Sequence, residues 1–420
     1  MIRFYNGTIL TMDGAAPTAR ELWTKGDTIA YIGETPAALP AFEREIDLKG
    51  DLLMPGFKNA HTHSPMTFLR SFADDLPLLQ WLETQVFPRE ARLREEHVYW
   101  LTKLAIAEYL TSGVTASFDM YTFHDAYVSA NIDCGFRTVL CGSINAATER
   151  PEILEDAYRK FNAVHPLISY QLGFHAEYTI GKHLGYVQHL AEKYKAPIYT
   201  HNSETAPEVA DCLARTGMSP TQFLDSQGIF AYGGGGFHCV HVTDADLEIF
   251  KKRGMWIVTN PASNAKLASG IAPLTKMMDM GIGLAIGTDG PASNNALDMF
   301  REMYLACVMQ KLANKDAAAC DADAVLRMAT SGGAHCMGIP NCDCLAVGKQ
   351  ADMIIIDLHR PNMQPVLNLT KNLVYSGSKE NVRMTMVAGK VLYENGAFFL
   401  GDSIETIYAQ CKSAVQELLT

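Results

Sequence analysis

The chain has 420 residues, 48% apolar and 19% charged, so it can bury a large core and does not read as disordered. Its formal charge of −11 excludes a protein whose main task is gripping nucleic-acid phosphates, which needs a basic face. No apolar run reaches the roughly 18 residues of a membrane span, and Met1-Ile2-Arg3-Phe4-Tyr5-Asn6-Gly7 does not have the form of a signal peptide. A cytoplasmic protein is expected. Its ten cysteines read as reduced, buried thiols: no Cys-x-x-Cys occurs, and Cys342-Asp343-Cys344 has no matching second pair.

Residues 1–55 read as short strands with turns. Segments 2–5 and 8–10 flank Asn6-Gly7, a dipeptide suited to a hairpin turn, and segments 22–24 and 29–32 bracket Lys25-Gly26-Asp27. Between 56 and 345 short apolar runs alternate with amphipathic helical stretches, the signature of β/α units and a parallel sheet. Eight strands are predicted, at 53–60, 114–119, 137–141, 169–174, 197–200, 235–240, 256–259 and 283–287. Helices are predicted at 98–111, 152–164, 185–194 and 299–312, among others. The run Gly233-Gly234-Gly235-Gly236 reads as a flexible turn, with close backbone approach as the alternative. From 346 to 420 strand grammar returns, at 353–356 and in a hairpin of 382–386 with 390–393, followed by a C-terminal helix. The expected architecture is a (β/α)8 TIM barrel (56–345) with a small β-sandwich built from the N-terminal (1–55) and C-terminal (346–420) segments.

The histidines and acids fall at strand ends. His61 and His63 follow the first barrel strand two residues apart, so alternation points both imidazoles to one face. His175, His201 and His238 follow the fourth, fifth and sixth strands, and Asp289 the eighth, all at the carboxyl ends where barrel enzymes keep their active sites. Imidazoles with one carboxylate suit a divalent cation, zinc first, with iron or manganese as alternatives. His97, His124, His165, His183, His189 and His335 read as surface or packing residues. His175-Ala176-Glu177 matches half of the zinc nucleobase deaminase signature, but no Pro-Cys-x-x-Cys accompanies it. In His238-Cys239-Val240-His241, residues three apart fall on opposite strand faces, so His238 faces the mouth and His241 packs behind.

Several motifs carry a resemblance: Pro55-Gly56-Phe57-Lys58-Asn59-Ala60-His61-Thr62-His63, Ala73-Asp74-Asp75-Leu76-Pro77-Leu78 with Trp81, His201-Asn202-Ser203-Glu204-Thr205, Asn260-Pro261-Ala262-Ser263-Asn264-Ala265-Lys266-Leu267, and Gly287-Thr288-Asp289-Gly290-Pro291-Ala292-Ser293-Asn294-Asn295. With them the chain resembles the amidohydrolase superfamily, nearest its 5-methylthioadenosine/S-adenosylhomocysteine deaminases, with guanine deaminases and triazine hydrolases as cousins. The resemblance implies one divalent metal held by His61, His63, His201 and Asp289; no bridging lysine stands beside His175. It further implies that Asp289 takes a proton from the attacking water, Glu204 protonates the purine ring at N1, and His238 stabilises the tetrahedral intermediate. His175, Trp81, Glu90 and Arg150 are expected to contact a purine nucleoside, Glu90 through its ribose hydroxyls. A homo-oligomer, dimer or tetramer, is expected. Deamination of guanine, another aminopurine or a triazine is the alternative activity, and a non-catalytic purine-binding barrel a further one. Two departures stand out. Where the branch usually carries an arginine after strand three, this chain reads Leu140-Cys141-Gly142-Ser143, and Glu177 replaces a usual proline. They put a homocysteine-tailed substrate in doubt.

Overall fold

The computed structural model describes residues 1–72 and 74–419; Ala73, which opens one of the motifs above, lies outside the described residues. The strands in chain order are β1 (Ile2–Ile9), β2 (Thr18–Lys25), β3 (Thr28–Gly33), β4 (Arg44–Asp47), β5 (Leu52–Pro55) and β6 (Phe57–Thr62). There follow β7 (Val114–Met120), β8 (Arg137–Cys141), β9 (Ile168–Ala176), β10 (Ile198–Asn202), β11 (Gly234–His238), β12 (Trp256–Thr259) and β13 (Gly283–Ile286). The last four are β14 (Met353–Ile356), β15 (Val382–Val387), β16 (Lys390–Glu394) and β17 (Ala397–Phe398).

β6 to β13 pair in chain order, every ladder parallel. The ring is drawn together between its last and first strands. The Asp289 N–H donates to the His61 carbonyl at 3.0 Å, and Asn59 Oδ1 accepts from the Thr288 N–H at 2.9 Å. Gly287 permits this approach, because a Cβ there would lie 2.6 Å from the His61 nitrogen. Burial on both faces is what makes these strands continuous apolar runs: all seven residues of β7 are buried. Ala60, Phe118, Val139, Phe237, Val258 and Ala285 fill the barrel interior, and helices such as Glu95–Thr111, Ile153–Phe161, Leu184–Tyr194 and Met299–Asn314 cover the outside.

The two ends of the chain meet in one nine-stranded mixed sheet, the expected terminal β-structure, ordered β17-β16-β15-β14-β5-β1-β2-β3 with β4 on β1. β5 pairs with β14, which joins the N-terminal strands to the C-terminal ones, and Phe4, Leu22, Leu53, Met353 and Met384 form a second apolar core there. The helix Ile404–Leu419 returns to the barrel, where Cys411 donates to the Trp100 carbonyl at 3.2 Å. Among the described residues no helix is long and apolar enough to cross a membrane. All ten cysteines are free thiols, and nine are buried.

Three local expectations are corrected. The predicted strand at 53–60 is two, β5 in the terminal sheet and β6 in the barrel, because the chain breaks at Gly56 between two different sheets. Asn6-Gly7 is no hairpin turn: β1 runs through it, with the register to β2 shifting between Phe4 and Gly7 and Asn6 at φ 60°. The extra length is absorbed as a bulge. The glycine run is mostly strand. Only Gly233 precedes β11, and a Cβ on Gly234 would lie 1.9 Å from the Ile198 carbonyl oxygen, so glycine is there for close strand approach.

Candidate active site

The carboxyl ends of the barrel strands bring His61, His63, His201, His238 and Asp289 together. Ligand atoms of His61, His63 and His201 lie within 4.8 Å of one another, as do those of His61, His238 and Asp289. Asp289 Oδ1 is 3.2 Å from His63 Nε2 and 3.7 Å from His61 Nε2. The backbone bends sharply to achieve this. Ser203, His238, Cys239 and Asp289 take left-handed φ values of 52°, 70°, 46° and 58°, uncommon for residues other than glycine and typical of strained functional sites.

Outer contacts fix the rings. His63 Nδ1–H donates to the Met120 carbonyl at 2.7 Å, and His201 Nδ1–H to the His175 carbonyl at 2.7 Å. His238 Nδ1–H donates to Asn264 Oδ1 at 2.8 Å. Each bond leaves Nε2 unspent, the arrangement common for metal-binding histidines. Ser263 and Ser293 donate to Asp289 Oδ2 at 2.6 and 2.7 Å, leaving Oδ1 free for the cluster. His61 is fully buried, stacks on Phe237 at 3.8 Å, and has no hydrogen-bond partner for either ring nitrogen. A buried unpaired nitrogen is costly, and a cation would satisfy it. The donor set therefore fits a divalent metal ion. Burial, and then the neighbouring imidazoles, push His61 and His201 well below the usual histidine range, which keeps them neutral and able to ligate. At His63 burial opposes charge but Asp289 and the Met120 carbonyl prevail, raising it to about 9.

Glu204 enters the same cavity from the loop after β10. The helix Ala206–Thr216 begins with a capping box in which Thr205 Oγ1 accepts from the Glu208 N–H. Glu208 also reaches back past the cap: its carboxylate accepts from the Ser203 N–H at 3.0 Å and the Glu204 N–H at 2.9 Å. The loop is thus pinned with Glu204 6% exposed and Glu204 Oε1 3.8 Å from His238 Nδ1. Burial raises the Glu204 carboxyl above its usual range, so it holds a proton more readily than a surface glutamate.

The cavity measures about 280 Å³ and is lined by His63, His175, His201, Glu204, His238 and Asp289 at its floor. Leu78, Trp81, Leu82, Val86 and Phe87 form an apolar wall, which Glu90 ends. Trp81, Glu90 and His175, expected from sequence, are therefore all in the cavity. Glu90 accepts from the Tyr121 hydroxyl at 2.7 Å, and burial raises its carboxyl above the usual range. Burial lowers His175 to about 4. Arg150 is the exception: its side chain is 76% exposed, faces Asp156 at 3.4 Å and does not line the cavity. Glu177 is buried beside Arg215 at 2.7 Å, also off the cavity wall. His241 donates to or accepts nothing in the cluster; its Nε2–H donates to the Ser269 carbonyl at 2.7 Å. Sequence reasoning did not pick out Tyr121, Ser263, Asn264, Ser293 or Glu208. The middle three lie within quoted motifs, but nothing in the residue pattern says which atom each one holds.

The family model for the amidohydrolase family matches residues 52–392. A 5-methylthioadenosine/S-adenosylhomocysteine deaminase of Caldanaerobacter subterraneus is 39% identical over 409 residues, 95% of this chain and 94% of the relative. A 5'-deoxyadenosine deaminase of Methanopyrus kandleri is 38% identical over 89% of each chain. A crystal structure of an adenosine deaminase from Xanthomonas campestris with bound zinc superposes with a TM-score of 0.94 at 32% identity, covering 100% of this chain and 98% of that one. With the barrel, the strand-end histidines and the match over most of its length, the chain belongs to the amidohydrolase family.

Proposed function

We propose that this protein is a metal-dependent deaminase of adenosine-type nucleosides, which adds water to C6 of the purine and releases ammonia to give the inosine analogue. The observation that carries the reading is one cavity onto which the His61/His63/His201 and His61/His238/Asp289 clusters converge beside a buried Glu204 whose carboxyl is raised by burial. The relatives named for 5-methylthioadenosine, S-adenosylhomocysteine, 5'-deoxyadenosine and adenosine support it. Zinc is the proposed ion: imidazole and carboxylate donors suit it, and the Xanthomonas relative was crystallised with it.

A bound divalent cation lowers the pKa of a water molecule towards neutrality. The protein's own residues do the rest. Asp289 Oδ1 accepts a proton from the attacking water. Glu204 delivers a proton to N1, so that C6 becomes electrophilic and the ring nitrogen does not have to carry a full negative charge. His238 faces the attacked carbon and stabilises the oxygen that builds there, its ring held by Asn264. The exocyclic amine then takes up the proton held on Asp289 and leaves as ammonia, while the new C6 hydroxyl returns its proton to Glu204 as the carbonyl forms. His175 contacts the purine ring, Trp81 covers it, and Glu90 accepts from the ribose hydroxyls.

The test is ammonia release by zinc-loaded enzyme from adenosine, 5'-deoxyadenosine, 5-methylthioadenosine, S-adenosylhomocysteine and guanine. Turnover of at least one adenine nucleoside, abolished by chelation and restored by zinc, is expected. No release from any adenine nucleoside overturns the proposal.

A further inference from the structure

Outside the metal cage the charges that line the cavity are one-sided. Among the described residues its wall contains three carboxyl side chains, Glu90, Glu204 and Asp289, four imidazoles and no lysine or arginine. Two basic side chains adjacent in sequence to wall residues are engaged elsewhere. Arg89, beside Glu90, lies over the Phe72 ring at 4.4 Å and donates to the Gln85 carbonyl at 2.9 Å. Lys266, beside the lining residue Leu267, is held between Asp74 Oδ1 at 2.5 Å and Asn295 Oδ1 at 2.7 Å. Arg150 lies 3.4 Å from Asp156 at the edge of a neighbouring groove and lines neither that groove nor the cavity.

A second groove, which shares Thr122, Ser143 and Asn145 with the cavity, continues the same polarity. Among the described residues its one lysine is Lys160, whose Nζ is 2.5 Å from Asp125, and Glu95 and Asp156 line it as well. Its remaining surface is largely apolar, with Phe123, Ile144, Ile153 and Phe161. A 5'-substituent leaving the cavity by this side meets apolar surface and acids, and no unpaired cation.

On the deaminase reading above, we infer that the enzyme selects adenine nucleosides whose 5'-substituent is uncharged, such as a deoxy, hydroxyl or alkylthio group, and discriminates against an amino-acid tail. The tail is a zwitterion: its ammonium finds acids in the groove, but its ionised carboxylate gives up water without gaining a counter-charge, a cost that an apolar tail of equal length does not bear. The discrimination comes from charge, not from length.

The experiment compares kcat/KM of the zinc-loaded enzyme for 5-methylthioadenosine, 5'-hexylthioadenosine and S-adenosylhomocysteine. The two alkylthio substrates should agree within about tenfold, and the amino-acid-tailed one should fall on the order of 100-fold below them. Calorimetric titration of Glu204→Gln enzyme with the same nucleosides should give the same order in Kd. Ser143→Arg, which puts a cation on the wall shared by cavity and groove, should narrow the gap at least about tenfold. Equal kcat/KM for the tailed substrate, or an equal fall for the hexylthio one, overturns the inference while leaving deamination intact. Absence of turnover with all three, without the expected order in Kd, overturns both.

Discussion

The two ends of the barrel treat buried polar groups in opposite ways. At the foot, Lys58 is fully buried and its ammonium donates to the Gly56 carbonyl and to Thr115 Oγ1, both at 2.8 Å. Arg137 meets Asp352 through Nε at 2.7 Å and Nη2 at 3.1 Å, and Asp352 also accepts from the Ala388 N–H at 2.7 Å. The Arg137–Asp352 contacts tie the barrel to the terminal sheet, and each of these charges has a counter-charge or a dipole. At the mouth, five ligand-bearing side chains crowd together, His61 has both nitrogens unpaired, and four non-glycine residues sit in left-handed backbone. The foot is complete in the protein alone; the mouth leaves donors that a cation would satisfy. Barrel enzymes concentrate stability at one face and chemistry at the other, and here the hydrogen-bond inventory separates the two without reference to any relative.

The sharpest way to test this division is Glu204→Gln. It should leave zinc content unchanged and lower kcat on the order of 1,000-fold. The melting temperature should hold or rise slightly, because removing a buried acid at a strained site relieves the fold. Near-normal turnover would refute the proton-transfer role of Glu204, and a large loss of melting temperature would refute the division. The reciprocal substitution, Arg137→Met, strands the buried Asp352 carboxylate. Destabilisation by about 3–5 kcal/mol is expected, with kcat of the folded fraction little changed. Denaturant unfolding and active-site titration read the two quantities separately, and a selective fall in kcat would break the comparison.

A subtler measurement concerns the backing of the mouth. Glu302 is fully buried, accepts from the Ala262 N–H at 2.9 Å and Asn294 Nδ2 at 2.7 Å, and is raised by burial to about 8. A carboxyl whose pKa is higher folded than unfolded stabilises the protein most below its unfolded pKa, and that contribution is lost as pH rises through the folded value. Between about pH 4.5 and 8 this group should therefore erode stability as pH rises. Glu302→Gln removes the titration, so the melting temperature of the variant should gain on the wild type by a few degrees between pH 5.5 and 8.5. A difference that is flat across this range would show that Glu302 stays ionised in the fold.

Much of the barrel could be read in the chain, because each strand is buried on both faces and so appears as a short apolar run, as in Val114–Met120 or Trp256–Thr259. Errors arose where one run served two sheets, as around Gly56, or where turn-like residues lie inside strands, as at Asn6-Gly7 and Gly234. In those places long-range pairing overrides local propensity.

By itself the sequence determined where the donors gather: histidines and an aspartate at the carboxyl ends of strands in a parallel β/α array fall on one edge of the sheet, where imidazoles and a carboxylate suit a divalent cation. What the tertiary structure alone decided is how that site is closed and what it admits. The Ser263 hydroxyl reaches Asp289 from a segment 26 residues away, and even the contacts close in sequence, Glu208 on the Glu204 loop, Ser293 on Asp289 and Arg150 turned to Asp156, depend on how each turn folds. A residue type fixes which bonds a side chain is able to make, while only the packed fold fixes which partner lies within reach.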